Sequence, residues 1–240
     1  MCIRDSKKIA SDIEVLFQKE KNYPQDYYLI KKDKSKISIE IHGSPIRNDE
    51  GKLTGFRGII LDITERKEYE SKIKYLSFHD KLTDLYNRAY FEEELKRLNN
   101  KRNLPISIII GDVNNLKVIN DTFGHQEGDR VLQKTALMLK SFEKKHEGSL
   151  AARYGGEEFV FVMQGANLRA AAAAAEEIRA YAGKNISGGN GKEQRRITLS
   201  IGVASLPETA KSQRELIKNA DEMLYAAKEQ GRDRVVWREG

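Results

Sequence analysis

Arg153-Tyr154-Gly155-Gly156-Glu157-Glu158-Phe159 sets two glycines and two carboxylates between the apolar segments Leu150-Ala151-Ala152 and Val160-Phe161-Val162. The pattern predicts a tight β-hairpin with acids at its tip. Glycine supplies the positive φ angles that tight turns demand and lets a bulky anion approach the backbone. Adjacent glutamates offer the hard oxygen ligands that a divalent cation takes beside that anion. Phosphate chemistry is the natural reading, although a Gly-Gly-Glu-Glu turn standing alone also suits a surface hairpin with two solvated acids. The surrounding elements decide.

Upstream, residues Leu104 to Asn114 form a continuous apolar run ending in an acid, as in a buried strand whose carboxyl end opens into a site, with Asp112 at that end. Beyond it, Leu116 and Ile119 suggest a short helix ending at Gly124. Asp129 then precedes a helical stretch from Val131 to Leu139. Ile197 to Ala204 reads as a further strand, and Leu216 to Glu229 as an amphipathic helix closing on Lys228-Glu229-Gln230-Gly231-Arg232. Acids and cations recur at element ends.

Five segments in this order resemble the GGDEF family of diguanylate cyclases: Asp80 to Arg88, Asp112 to Asp129, Gly155 to Phe159, Ser200-Ile201-Gly202-Val203, and Ala220-Asp221 through Arg232. The resemblance runs from Ser77 to Val236, and the signature stands in the Gly-Gly-Glu-Glu-Phe form that active members use. It implies an α/β (α+β) domain, nucleotide-cyclase-like, with a central mainly antiparallel sheet flanked by helices. It also implies an enzyme that condenses two GTP into cyclic di-GMP and two pyrophosphates as a homodimer. A silent module that only binds GTP or cyclic di-GMP is the competing reading, but degenerate members usually lose signature acids that this chain keeps.

Residue roles follow from the same resemblance. Asp112, Glu157 and the Val113 carbonyl would hold two magnesium (or manganese) ions per site, which neutralise the triphosphate and activate the attacking hydroxyl. Glu158 joins the acidic cluster. Backbone amides around Asn115, Leu116 and Lys117 would cradle the β- and γ-phosphates at a helix start. Lys228 and Arg232, four apart and so expected on one helix face, would reach the same phosphates. Asn120 and Asp129 resemble the family's guanine readers, an amide for the carbonyl side and a carboxylate for N1 and the exocyclic amine. Asn120 alternatively caps a turn.

Two positions depart from the family pattern. Asn114 stands where many relatives carry a second aspartate, and is expected not to be a ligand. The Arg-x-x-Asp product-inhibition motif would fall on His146-Glu147-Gly148-Ser149 and is missing, so inhibition through that site is expected to be absent. Arg179 reads as a solvated helix arginine in preference to part of a secondary product-contacting surface.

The first third is a different object. Lys36 to His42 alternates as a half-buried strand, Asp49-Glu50-Gly51-Lys52 suits a hairpin turn, and Leu53 to Leu61 reads as a second strand before Asp62-Ile63-Thr64. This passage resembles the carboxyl-terminal part of a PAS sensor domain, too small to enclose a cofactor pocket, so no sensor ligand is inferred. Met1 to Ser6 resemble nothing in such a domain and read as foreign residues on a truncated record. The organisation expected is a partial PAS domain over 1–64, a helical linker over 65–78 and the cyclase domain over 79–238. In the linker, Arg66, Tyr69, Ile73 and Leu76 follow the spacing of a coiled-coil seam.

Composition sets bounds without choosing a function. The 240 residues suit one full domain and a smaller one. The net charge of +6 is interspersed along the chain, which argues against nucleic-acid binding. No stretch approaches a membrane span or signal peptide, and a cytoplasmic setting is expected, with membrane attachment left to any missing amino-terminal region. The single cysteine, Cys2, excludes an internal disulfide, and the four histidines show no metal-ligand spacing. The run Ala170 to Ala175 predicts a helix packed closely on its sheet.

Overall fold

The computed structural model describes residues 2–3, 25–31, 33–98, 104–190 and 193–238. It divides into two compact units, Met1–Tyr75 and Leu76–Gly240.

The first unit carries an antiparallel sheet of β1 (Cys2–Ile3), β2 (Gln25–Ile30), β3 (Lys36–Arg47) and β4 (Leu53–Asp62), in that order. Period-two alternation puts Ile37, Ile39 and Ile41 on one face of β3, where they pack with Tyr27 and Leu29 of β2. The turn between β3 and β4 closes on Asn48, whose Oδ1 accepts from Glu50 N at 3.2 Å and Lys52 N at 2.8 Å. Sequence reasoning found β3 and β4 but missed β2, which opens on polar residues and sets two tyrosines side by side. The opening residues, read as foreign, include a strand: Cys2 pairs with Ile30 and Ile3 with Leu29.

Asp62 Oδ1 accepts from Thr64 N at 2.9 Å and so caps the start of α1 (Thr64–Phe78). No residue of α1 is buried; Tyr69, Ile73 and Leu76 on it are all exposed.

The second unit is built on a six-stranded sheet. In spatial order it runs β12 (Val235–Val236), β11 (Leu199–Leu206), β6 (Ile106–Val113), β8 (Glu158–Gln164), β7 (Ser149–Gly155) and β5 (Tyr86–Asn87). The two outermost pairings are parallel and the three central ones antiparallel, giving the mainly antiparallel sheet expected. The continuous apolar run of β6 is explained by burial on both faces. Ile109 and Val113 face a core shared with α3 (Leu116–Phe123), α4 (His125–Lys145) and α5 (Leu168–Asn185). Ile106, Ile108 and Ile110 face the other, shared with α2 (Arg88–Leu98) and α6 (Gln213–Glu229). A short hairpin, β9 (Ser187–Gly189) and β10 (Gln194–Arg196), stands apart from this sheet.

Small residues set how closely the helices lie. Ala171, Ala172, Ala174 and Ala175 are buried on α5, as the alanine run predicts. At Gly202 of β11, an added Cβ would fall 2.1 Å from Ala220 O and 2.2 Å from Leu224 N, so α6 rests its backbone directly on the strand.

Two sequence expectations need correction. Asp129 does not precede its helix but lies within it, because α4 begins straight after Gly124 with a polar first turn that apolar periodicity cannot register. Arg232 is not on the helix of Lys228: α6 ends at Glu229, and Gly231, at φ 105°, turns the chain away.

Candidate active site

Asp112 sits near the carboxyl end of β6, its Cα paired with Glu158 of β8 on one side and Ser200 of β11 on the other. Its carboxylate is nearly inaccessible and accepts from Lys228 Nζ at 2.7 Å; the same ammonium lies 3.9 Å from Glu158 Oε1. Val113 N donates to Glu157 O at 3.1 Å, stitching the turn between β7 and β8 to the strand end. Two acids and one lysine therefore meet where β6 ends and β8 begins, with Glu157 beside them in the turn.

The glycine turn is fixed from behind. Gly156 adopts φ 47°, within the left-handed region that glycine tolerates. Arg153 donates from Nε and NH2 to Gly156 O at 3.0 and 2.7 Å, and from NH1 to Asp80 Oδ1 at 3.0 Å. Asp80 Oδ1 also accepts from Thr83 N and Thr83 Oγ1, at 2.9 and 2.6 Å. Sequence reasoning quoted Asp80 and Arg153 within motifs but missed this bridge, which spans 73 positions.

After β6 the chain reverses through Asn115 at φ 62°, which opens α3 without a side-chain cap. The first turn of α3 borders the cleft, and a helix start, whose first amides lack intrahelical partners, favours an anion. Asn114 is committed elsewhere: its amide donates to Thr198 Oγ1 at 3.0 Å and its Oδ1 accepts from Ser200 Oγ at 2.8 Å, with the residue 3% exposed.

Part of this set borders one cavity of about 240 Å³, whereas Val113, Glu158, Arg153 and Asp80 do not. Asp112 and Glu157 line it together with Asn115, Leu116 and Lys117 at the helix start and with Lys228 and Arg232, the Lys228 ammonium lying against Asp112. Arg232 reaches it from a left-handed conformation, φ 64°, beyond the end of α6. Neither Asn120 nor Asp129 borders this cavity. Asn120 lies on α3 with its Oδ1 against the backbone of Gly128, next to Asp129 in the first turns of α4. Sequence reasoning also passed over Glu127, which is 6% exposed and accepts from Gly189 N at 3.0 Å, tying β9 to the start of α4. Its carboxyl is held below the usual range, chiefly by that backbone hydrogen bond.

Electrostatics single out the acids at the turn. Partial burial pushes the Glu157 carboxyl above its ordinary range and the Asp112 charge adds to the effect, while Lys228 opposes it. Burial raises Glu158 as well, again against the pull of Lys228. The donor set, two carboxylates and a nearby backbone carbonyl, fits a hard divalent cation, and the ammonium 2.7 Å from Asp112 stands in for positive charge. Among the described residues no three His, Cys, Asp or Glu side chains are gathered into a ready-made cage; Asp112 is turned toward Lys228 instead.

Arg179 is not the free solvated arginine that the sequence suggests. It is an ion-paired side chain, 23% exposed, that bridges Glu176 and Asp233. No described helix is long and apolar enough to cross a membrane.

Comparison with known proteins identifies the family. Residues 77–234 match the family described as diguanylate cyclase, GGDEF domain, and residues 2–65, opening residues included, match a PAS domain. The chain is 40% identical over 165 residues to the response regulator PleD of Caulobacter vibrioides, covering 67% of this chain and 36% of that protein. It is 37% identical over 209 residues to the diguanylate cyclase DgcM of Escherichia coli, covering 85% of this chain and 48% of that protein. The chain thus spans less than half the length of either relative. Among solved structures, the coiled coil and GGDEF domain of DgcB from Caulobacter crescentus, in complex with c-di-GMP, superposes with a TM-score of 0.67 at 29% identity, covering 72% of this chain and 92% of that one. With its Gly-Gly-Glu-Glu turn, its acids at the ends of paired strands and a family match over 77–234, the chain belongs to the GGDEF family of diguanylate cyclases, preceded by a PAS domain.

Proposed function

We propose that the chain is a diguanylate cyclase: it condenses two GTP into cyclic di-GMP and two pyrophosphates in a homodimer, under the control of the preceding PAS domain. The observation that carries this reading is that one cleft is lined by Asp112 and Glu157, the helix start at Asn115–Lys117, and the cations Lys228 and Arg232. Acids, cations and a helix start gathered around one cavity suit a metal-bound triphosphate.

In this reading Asp112, Glu157 and the Val113 carbonyl hold magnesium or manganese, two ions per site, with Glu158 completing the acidic cluster. Bound there, divalent ions neutralise the triphosphate and lower the pKa of the attacking hydroxyl. The amides of Asn115, Leu116 and Lys117 hold the β- and γ-phosphates against the α3 dipole. Lys228 and Arg232 reach the same phosphates and neutralise them in the bound nucleotide. Asn120 and Asp129, side by side across Gly128, read guanine, and the carboxylate of Asp129 accepts from N1–H and the exocyclic amine.

In each half-reaction a ribose 3′-hydroxyl gives up its proton to solvent and its oxygen bonds to the α-phosphorus of the other nucleotide. The bond from that phosphorus to the β-phosphate oxygen breaks, and pyrophosphate leaves. Each domain holds one GTP, so two must face across a two-fold axis. The exposed Tyr69, Ile73 and Leu76 of α1 supply an apolar seam for a parallel helical pair, with 65–78 as the signalling linker between a PAS segment over 1–64 and a cyclase domain over 79–238. The product-inhibition motif is absent at 146–149, so accumulated product is expected not to arrest the enzyme through that site.

The test is to incubate the purified chain with GTP and magnesium and to follow cyclic di-GMP by chromatography and mass spectrometry, with ATP as control. Product from GTP alone, rising more steeply than linearly with protein, is expected. Tight GTP binding without product at any protein concentration would leave a binding module in place of the enzyme.

A further inference from the structure

Three consecutive residues after α6, Gly231, Arg232 and Asp233, have positive φ angles of 105°, 64° and 45°. The first is glycine, but the next two are L-residues in a region that their Cβ atoms resist. This turn carries Arg232 back to the cleft. Its backbone accounts for only part of its hold: Gly231 N donates to Lys228 O at 3.3 Å, and Arg232 N to Ala227 O at 3.0 Å. Arg234 Nε donates to Arg232 O at 3.1 Å.

The remaining grip comes from another element. Arg179, on α5, donates from NH1 to Asp233 Oδ1 at 2.6 Å and to Asp233 O at 3.4 Å. Its Nε donates to both carboxylate oxygens of Glu176, at 3.1 and 3.0 Å, and NH2 adds a third bond at 2.5 Å. Glu176 thus fixes the guanidinium plane and NH1 is left to hold the turn. A single exposed ion pair contributes little. This arginine is partly buried between two exposed acids, all three of its nitrogens are engaged, and its target is the strained residue next to Arg232.

We infer that Arg179 is a positioning residue for Arg232: by gripping Asp233 it holds the left-handed turn that presents the Arg232 guanidinium to the triphosphate. The inference rests on the reading of the cleft as a GTP site. Released from Arg179, residues 231–233 relax toward ordinary φ, and Arg232 leaves the cleft while Lys228, on the helix itself, stays.

The experiment is steady-state kinetics on Arg179→Ala, Asp233→Ala and Arg232→Ala, together with equilibrium binding of a non-hydrolysable GTP analogue to the same proteins. Arg179→Ala and Asp233→Ala are each expected to raise KM for GTP about tenfold with kcat little changed, the mark of a lost binding contact. Arg179→Lys and Asp233→Asn, which keep a donor and an acceptor, should recover part of the affinity and serve where the alanine variants fold poorly. In the Arg232→Ala background, Arg179→Ala should add less than about twofold. A fall in kcat at unchanged KM, or a full additional tenfold in that background, would overturn the inference. If Arg232→Ala weakens analogue binding and Arg179→Ala does not, the inference fails and the cleft reading stands. If Arg232→Ala itself is silent, both fail. If both variants weaken binding while no variant and no wild-type protein makes cyclic di-GMP, the inference stands and the cyclase reading fails.

Discussion

Lys228 Nζ stands 2.7 Å from Asp112 Oδ2, although 116 positions separate the two residues in the chain. The carboxylate is almost fully withdrawn from water, 8% exposed, while the lysine keeps 32%. A withdrawn carboxylate requires a partner charge, and here a group assigned to phosphate supplies it to a group assigned to metal. On the function proposed above, binding of a metal nucleotide would exchange these partners, with Asp112 turning to the cation and Lys228 to the phosphates.

Lys228→Met is therefore expected to destabilise the metal-free protein by about 1–3 kcal/mol, the scale of a broken, half-buried pair. Magnesium should restore more stability to this variant than it adds to the wild type, because it meets acids that have no resident counter-charge. Thermal unfolding with and without magnesium reads both effects. Equal stabilisation of the two proteins would show that lysine and metal do not compete for Asp112.

Glu157→Gln should abolish turnover and raise stability together. Burial, then Asp112, holds the Glu157 carboxyl above its ordinary range. A carboxyl raised in the folded state binds its proton more readily folded than unfolded, so it favours the fold at low pH. That advantage is lost as pH rises from the ordinary value to the raised one. The amide escapes this loss. At neutral pH without metal the variant is expected to melt about 1–3 °C higher, the gap closing near pH 4, after discounting for the solvent that screens a half-exposed acid. Undiminished production of cyclic di-GMP by the variant would remove Glu157 from the metal site.

The hairpin tip and the acid at the end of β6 were legible because both depend on local pattern: glycines between apolar alternations, and an acid closing an apolar run. Contacts between distant segments were not. Nothing near Asp80 announces Arg153, and nothing near Asn114 announces the hydroxyls of Thr198 and Ser200 that occupy its amide. The four-residue spacing of Lys228 and Arg232 misled because it assumes an unbroken helix, whereas Gly231 ends it and a left-handed turn delivers the arginine to the same cleft. Asp129 was placed ahead of its helix because the apolar signal starts only at Val131, after a first turn made of polar residues.

Gly202→Ala probes the contact that sets the height of α6. The added methyl would lie 2.1 Å from Ala220 O and 2.2 Å from Leu224 N, both backbone atoms that no rotamer change can move. Overpacking of this kind costs about 3 kcal/mol or more. Denaturant unfolding should show the loss at unchanged m-value. Because α6 carries Lys228, GTP affinity should fall in whatever fraction remains folded. A variant as stable as the wild type would mean that the helix can lift off β11.

Gly128→Ala makes the opposite case, a crowded glycine whose neighbour can yield. The methyl would fall 1.9 Å from Asn120 Oδ1, and that atom ends a side chain with rotamers to spare. Stability should change by less than about 1 kcal/mol, since alanine suits the interior of α4 better than glycine and offsets part of the strain. What moves is the amide assigned to guanine. The expected result is a KM for GTP raised about tenfold with kcat nearly kept, and a smaller preference for GTP over ATP in the binding of non-hydrolysable analogues. Should discrimination between the two bases survive while stability falls sharply, Asn120 is a packing residue held by Gly128, and the reading of guanine passes to Asp129 alone.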